Sequence, residues 1–171
     1  IIVSVLMGMA LTLPISSAAL GVILNLSGIV AGAATVGCCA QMIGFATASF
    51  RENGIGGLLA QGIGTSMLQV PNIVRKPLIW LPTIITSAIL GPISTVVLKM
   101  TNNAIGSGMG TAGLVGPIMV YKTMITNTSP TITILMILAM LIIAPAFLTY
   151  FISEAMRRKG LIKDGDMKLE I

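Results

Sequence analysis

The sequence predicts an all-α integral membrane protein of about four transmembrane helices plus two re-entrant glycine-rich hairpins that form an inverted repeat. The chain of 171 residues is 55% hydrophobic and only 9% charged, whereas soluble domains carry about 25% charged residues. Six charged residues lie in residues 1–153 and nine in residues 154–171. We therefore expect a membrane transport-type domain over 1–153 and a solvated, basic cytoplasmic tail over 154–171.

The elements of the membrane domain follow from charge and length. Residues 1–50 contain no charged side chain, and this length fits two crossings because a spanning helix needs about 20 apolar residues. Residues 25–28 are the natural turn between them. Pro14 is expected to kink the first crossing, and small residues in the second allow close helix packing. Two further crossings are predicted at 78–98 and 131–153, each bent by proline.

Two apolar, glycine-rich segments, 53–71 and 103–117, interrupt this series, and each ends in a proline. The stretch from Ala104 to Pro117 would extend only about 21 Å as a helix. The hydrocarbon core is about 30 Å thick. We therefore interpret both segments as re-entrant hairpins.

The two hairpins also resemble each other, because NGIGG from Asn53 matches NAIGS from Asn103. If each repeat unit is one hairpin plus one crossing, the second unit is inverted in the membrane. Inverted repeats with broken segments are typical of secondary transporters that bind substrate near the midplane. Chance similarity between two glycine-rich stretches is the alternative. The distribution of lysine and arginine favours a cytoplasmic C-terminus.

Composition excludes several chemistries. The chain has no histidine, so histidine-based acid–base catalysis and zinc–imidazole sites are excluded on it. Its adjacent cysteines, Cys38 and Cys39, lack the spacing of a metal site or a disulfide framework. We expect no metal, no cofactor and no nucleic-acid partner, and the basic residues favour membrane lipid. Without a nucleophile–base pair, we assign no catalytic residues and find a self-acting membrane enzyme poorly supported.

Glu52 is the single acidic residue before Glu154. A carboxylate at membrane depth is costly and is therefore a functional-site hypothesis. We expect it to accept hydrogen bonds from substrate hydroxyls while Arg51 or Arg75 keeps it ionised. The alternative is an interfacial loop charge that pairs with Arg51 and is wetted by headgroup water.

Other amides and hydroxyls in the hairpins, Gln69 included, need hydrogen-bond partners in lipid. A small neutral sugar or polyol would supply them, and the alternative is that each one satisfies broken hairpin backbone. The candidate substrate-binding residues are Glu52, Asn53, Gln61, Thr65, Asn102, Asn103, Ser107 and Thr111.

Three stretches carry a resemblance to a known family: LTLPISS from Leu11, ENGIGG from Glu52 and GSGMGTAGLVGP from Gly106. Together they resemble the phosphotransferase-system enzyme IIC membrane proteins, in the branch that includes perfringolysin O regulator-like proteins. The resemblance covers essentially all of residues 1–153. It implies a permease of the bacterial inner membrane that binds a sugar, with Glu52 as the sugar-binding carboxylate.

The resemblance also implies partners. A separate IIB component would supply the phosphoryl group. Family members are longer, so we expect this chain to be their C-terminal half and the missing N-terminal half to build a homodimer. Many sugar-transporting relatives use a membrane histidine that this chain lacks. A non-transporting membrane sensor or regulator that keeps the IIC fold is therefore the alternative function.

Overall fold

The computed structural model describes residues 1–170, and within that range its regular structure is helical. The helices follow one another as α1 (Ile2–Thr12), α2 (Ser17–Ile23), α3 (Gly28–Ala48), α4 (Phe50–Leu59), α5 (Val70–Arg75), α6 (Pro77–Val97), α7 (Ala104–Ser107), α8 (Val115–Met124) and α9 (Pro130–Arg158). Among these, α3, α6 and α9 are long and apolar enough to cross a membrane. They correspond to three of the four predicted crossings, and the all-α membrane fold is confirmed.

The first predicted crossing is two short helices and not one kinked helix. α1 has 11 residues, which gives a length of about 16 Å. The chain then turns at residues 13–16 before α2 begins. Pro14 cannot donate a main-chain hydrogen bond, and the Ser16 hydroxyl caps the new helix by accepting the N–H of Ala19 at 3.2 Å.

α3 forms the centre of the fold, with 83% of its apolar span buried. Small residues let α1 pack directly on it. A Cβ atom on Gly37 would overlap the main chain of Ser4, and one on Gly8 would lie 2.6 Å from the carbonyl oxygen of Gly37. The Ser4 hydroxyl donates to the carbonyl of Ser87 in α6 at 3.0 Å. The small residues of the second crossing therefore have the packing role expected of them in lipid.

Both predicted hairpin segments are helix–break–helix units. In the first, α4 continues to Gly64, and extended backbone at Thr65 separates it from a short turn and α5. In the second, the break between α7 and α8 contains Gly110 and Gly113, both with φ of +52°. The second break contacts the helix end beside the first break, because the Thr111 hydroxyl donates to the carbonyl of Gly62 at 2.6 Å. Re-entry into the membrane and inversion of the repeat stay predictions.

Part of the segment that we expected to be solvated lies against the helices. Beyond α9 the chain reverses direction and returns to α4 and α5. Ile162 and Met167 are buried, and they join a hydrophobic cluster with Phe45, Ile73 and Ile79. The segment is rich in charged residues of both signs, yet its apolar side chains lie in the core.

Candidate functional site

Glu52 lies in the first turn of α4, and the fold buries its carboxylate, of which only 6% is exposed. Its Oε1 accepts a hydrogen bond from Nη2 of Arg157 at 2.9 Å and from the N–H of Gly165 at 3.0 Å. Its Oε2 accepts the N–H of Met167 at 3.0 Å. Three donors, one of them a charged guanidinium, therefore satisfy the hydrogen-bonding capacity of this buried carboxylate.

The partner of Glu52 differs from the two arginines that we predicted. Arg51 pairs with Glu154 at 3.1 Å, and Arg75 pairs with Glu170 at 3.3 Å. Arg157 takes the role instead because α9 ends beside the start of α4, and its guanidinium also donates to the carbonyl of Ala48 at 3.3 Å. Sequence proximity to Glu52 was the wrong guide, since the partner comes from the other end of the chain.

Four amide side chains lie near Glu52 on the first hairpin and on α5. Gln61 Nε2 donates to the Ser49 hydroxyl at 2.8 Å, and Gln69 Nε2 donates to Gln61 Oε1 at 2.9 Å. Asn72 Nδ2 continues the chain to Gln69 Oε1 at 2.9 Å. We call this set the carboxylate–amide network: Glu52, Asn53, Gln61, Gln69 and Asn72.

The network binds the main chain of residues 163–170, which we call the tail segment. Asn53 Nδ2 and Gln69 Nε2 both donate to the carbonyl of Met167, at 2.9 and 3.0 Å. Asn53 Oδ1 accepts the N–H of Leu169 at 2.8 Å, and Asn72 Nδ2 donates to the carbonyl of Lys168 at 2.9 Å. The arrangement can therefore recognise a ligand that offers closely spaced donors and acceptors without charge.

An ion pair between Lys76 and Asp166 closes the side of this site, with 2.6 Å between Nζ and Oδ2. Burial opposes ionisation of Asp166, but hydrogen bonds from Lys76 and from the N–H of Lys163, with the charges of both lysines, outweigh it and lower the pKa of Asp166. Docking of the tail segment thus favours the ionised form of Asp166.

The other predicted site residues lie outside the carboxylate–amide network and form a second group. Asn102 donates to the Thr35 hydroxyl at 2.7 Å, and Asn103 Oδ1 caps α7 by accepting the N–H of Gly106 at 2.9 Å. The hydroxyl of Ser107 donates to a carbonyl of its own helix, and the oxygen of Thr65 accepts the N–H of Met67. These four side chains bond to broken backbone and to α3, while Thr111 links the two hairpins.

A further polar cluster, which the sequence interpretation missed, lies beside the hairpin breaks. Gln41 in α3 is fully buried, and its Oε1 accepts from Trp80 Nε1 and from the Thr83 hydroxyl, each at 2.8 Å. Thr12 joins the cluster and contacts the Ser66 hydroxyl at 2.9 Å. The Nε2 atom of Gln41 has no hydrogen-bond partner in the described part of the chain. Gln41 is the one amide in α3, which is a signal that the sequence offered.

Comparison with known proteins gives one finding. The sequence model of a family described as "Phosphotransferase system, EIIC" matches residues 1–169. No curated protein and no solved structure matches the chain. The match confirms the resemblance to that family over nearly the whole chain, and the perfringolysin O regulator-like branch stays a prediction.

Proposed function

The chain belongs to the phosphotransferase-system EIIC family, and from that premise we propose that it binds a small neutral sugar or polyol at the carboxylate–amide network and carries it across the membrane. The family supports a sugar-transport role of the permease type. The specific proposal concerns the place of binding. Within the network, Glu52, Asn53 and Gln61 are the sequence-predicted residues that we retain as substrate contacts.

The chemistry of the network is the observation that carries this proposal. A buried carboxylate that is neutralised by Arg157 stands next to four amides, and together they bind uncharged main-chain donors and acceptors. Sugar hydroxyls offer donors and acceptors at a similar density and, like peptide groups, carry no charge. A neutral polyol therefore matches the network better than a charged ligand, which would disturb the buried ion pair.

The two broken segments support a transport mechanism. They meet beside their breaks, at Gly62 and Thr111, and Ser66 connects the first break to the polar cluster of Gln41 through Thr12. Discontinuous helices near the midplane are a common site of substrate binding in transporters. We propose that the segments re-enter the membrane from opposite faces, so that movement of one hairpin with its helix alternates access to the site.

The lysine and arginine residues at one end of the helices support an orientation. Arg51, Arg75 and Lys76 all form ion pairs with residues of the C-terminal region, which places a group of positive charges at that end. The positive-inside rule then supports a cytoplasmic C-terminus and the bacterial inner membrane as the location. A IIB phosphocarrier would approach from this side, and we propose that the protein forms a homodimer.

Ligand-induced thermal stabilisation tests the proposal. The detergent-solubilised protein is heated with a panel of neutral sugars and polyols, because ligand that binds the folded state raises its stability with concentration over Kd. We expect at least one neutral sugar to raise the melting temperature, and Glu52→Gln to lose that shift. The matched control is Glu154→Gln, which removes a carboxylate outside the network. An equal shift in the Glu52→Gln protein would contradict the assigned site.

The competing function is a membrane sensor or regulator. The observations that favour it are the absence of histidine and the occupation of Glu52 by the tail segment. If no sugar or polyol of the panel raises the melting temperature of a protein that unfolds cooperatively, the result would support the regulator.

A further inference from the structure

We propose that the tail segment is a displaceable cover of the carboxylate–amide network, which excludes substrate while it is docked. This inference rests on the proposed function for the identity of the ligand, but the docking itself is visible in the contacts. The tail segment occupies the polar atoms of Glu52, Asn53, Gln69 and Asn72 that a ligand would need. Tail and ligand are therefore mutually exclusive at these atoms.

Recognition of the tail segment combines main-chain contacts with one apolar anchor. Met167 is fully buried and Leu169 is 7% exposed, while the neighbouring Lys168 and Glu170 point outward. Met167 enters the cluster of Phe45 and Ile73. Residues 164–167 form turns, and from Met167 onward buried and outward side chains alternate, as they do when an extended peptide is bound on one face. The network is thus a peptide-binding groove whose occupant belongs to the same chain.

Several features allow the segment to leave as a unit. Gly160 has φ of +70° and Gly165 has φ of +97°, so glycines stand at the entrance to the segment and within it, where reorientation of the main chain is sterically cheap. The ion pair at the end of the segment is exposed: in the Arg75–Glu170 pair the side chains are 68% and 83% accessible. Exposed pairs add little to binding.

A cleft lies at the edge of the contact between the first hairpin and the tail segment. It has a volume of about 300 Å³ and separates Met67, Leu68 and Pro71 on the hairpin from Lys168, Leu169 and Glu170 on the tail segment. Solvent therefore reaches the edge of the contact between them. The polar core of the contact is tight, while its perimeter is open.

The consequence is a lowered apparent affinity for substrate. When only a fraction of the molecules has the cover open, the observed Kd equals the intrinsic Kd divided by that fraction. Release of the cover, by a partner protein or by substrate itself, would raise the affinity without any change in the network.

The first test needs no ligand and measures amide hydrogen exchange in the full chain. The N–H groups of Gly165, Met167 and Leu169 are hydrogen-bonded to Glu52 and Asn53. If the cover opens locally, these amides exchange roughly tenfold or more faster than those in the centre of α3. Exchange as slow as that of α3 would show a fixed part of the fold and overturn the proposal.

Variants of the tail segment test whether Met167 is its anchor. Met167→Asp places a charge on the buried anchor and is expected to accelerate exchange in the tail segment alone. The control is Lys168→Ala, because that side chain points outward and its carbonyl contact is retained. Asp166→Ala, which removes the pair with Lys76, is a milder second variant if the first does not fold. Acceleration in Lys168→Ala equal to that in the anchor variant would contradict the assigned anchor.

The second test uses any sugar that stabilises the wild-type protein or the Met167→Asp variant, in which we expect the cover to be open. We expect Met167→Asp to bind it about tenfold more tightly, and bound sugar to accelerate exchange in the wild-type tail segment. Equal affinity in the wild-type and open proteins would overturn the cover. If neither protein binds a sugar while the tail segment opens locally, the proposed substrate fails and the displaceable segment stands.

Discussion

Glu52 and Arg157, which are 105 residues apart in the chain, form an ion pair with 2.9 Å between Oε1 and Nη2. Both side chains are more than nine-tenths buried, with 6% and 8% of their surface exposed. The pair joins the start of α4 to the end of α9 and fixes the carboxylate to which the tail segment binds. Loss of Arg157 is costly because it leaves the buried Glu52 carboxylate with main-chain donors but without its ion-pair partner.

Arg157→Met should therefore destabilise the protein strongly, by about 3–5 kcal/mol, as expected when one member of a buried ion pair is removed. Arg158→Met is the matched control, because Arg158 is 80% exposed and exposed pairs contribute only about 0–1 kcal/mol. Thermal unfolding in detergent measures the difference. The double variant Arg157→Met with Glu52→Gln should recover part of the loss, and equal effects of the two arginine variants would show that the buried pair is unimportant.

Acidification should release the tail segment through Asp166. Because docking lowers the pKa of Asp166, its contribution to docking is complete above its ordinary pKa of 3.8 and is lost as pH falls through the lower pKa of the docked state. Trp80 is the one tryptophan and packs against the cluster that contains Met167. Its emission should shift below about pH 4.

The control for that titration is Asp166→Asn. This variant cannot ionise, so we expect a looser tail segment at neutral pH and a weaker acid-dependent shift. An acid transition of Trp80 that is identical in the variant and the wild type would assign the titration to another carboxylate.

The sequence predicted those parts of the molecule that local chemistry determines. Length and the absence of charge were sufficient for α3, α6 and α9, and Glu52 was unusual as the single acidic residue before Glu154. The partner of Glu52 could not be predicted from the sequence, because it depends on where α9 ends relative to α4. Pro14 indicated a bend, but the separation of α1 from α2 also depends on the cap at Ser16. Docking of Met167 depends on a cavity that exists only after folding.

The inverted repeat predicts labelling from opposite sides of the membrane. Single cysteines in a background without Cys38 and Cys39 are treated with an impermeant maleimide. Gly56 and Ile105 are suitable positions, because a Cβ on Gly56 meets no atom within 4 Å and Ile105 is 55% exposed. Gly57 is unsuitable, since a Cβ there would overlap Asn53. We expect Gly56→Cys to react from the cytoplasmic side and Ile105→Cys from the other, and reaction of both from one side would refute the inversion.

Gln41 should be coupled energetically to Trp80. Its Oε1 accepts the indole N–H at 2.8 Å, so Gln41→Leu leaves that half-buried donor without its acceptor, while the Thr83 hydroxyl keeps the carbonyl of Trp80 at 2.9 Å. We expect a loss of about 1–3 kcal/mol, the usual cost of an unsatisfied buried polar group. The same substitution in a Trp80→Phe background should cost about 1 kcal/mol less, because the indole donor is already absent. Thr47→Val is the control in the same helix, since the Thr47 hydroxyl bonds mainly to carbonyls of α3 itself. Additive effects of Gln41→Leu and Trp80→Phe on thermal unfolding would show that the two side chains do not depend on each other.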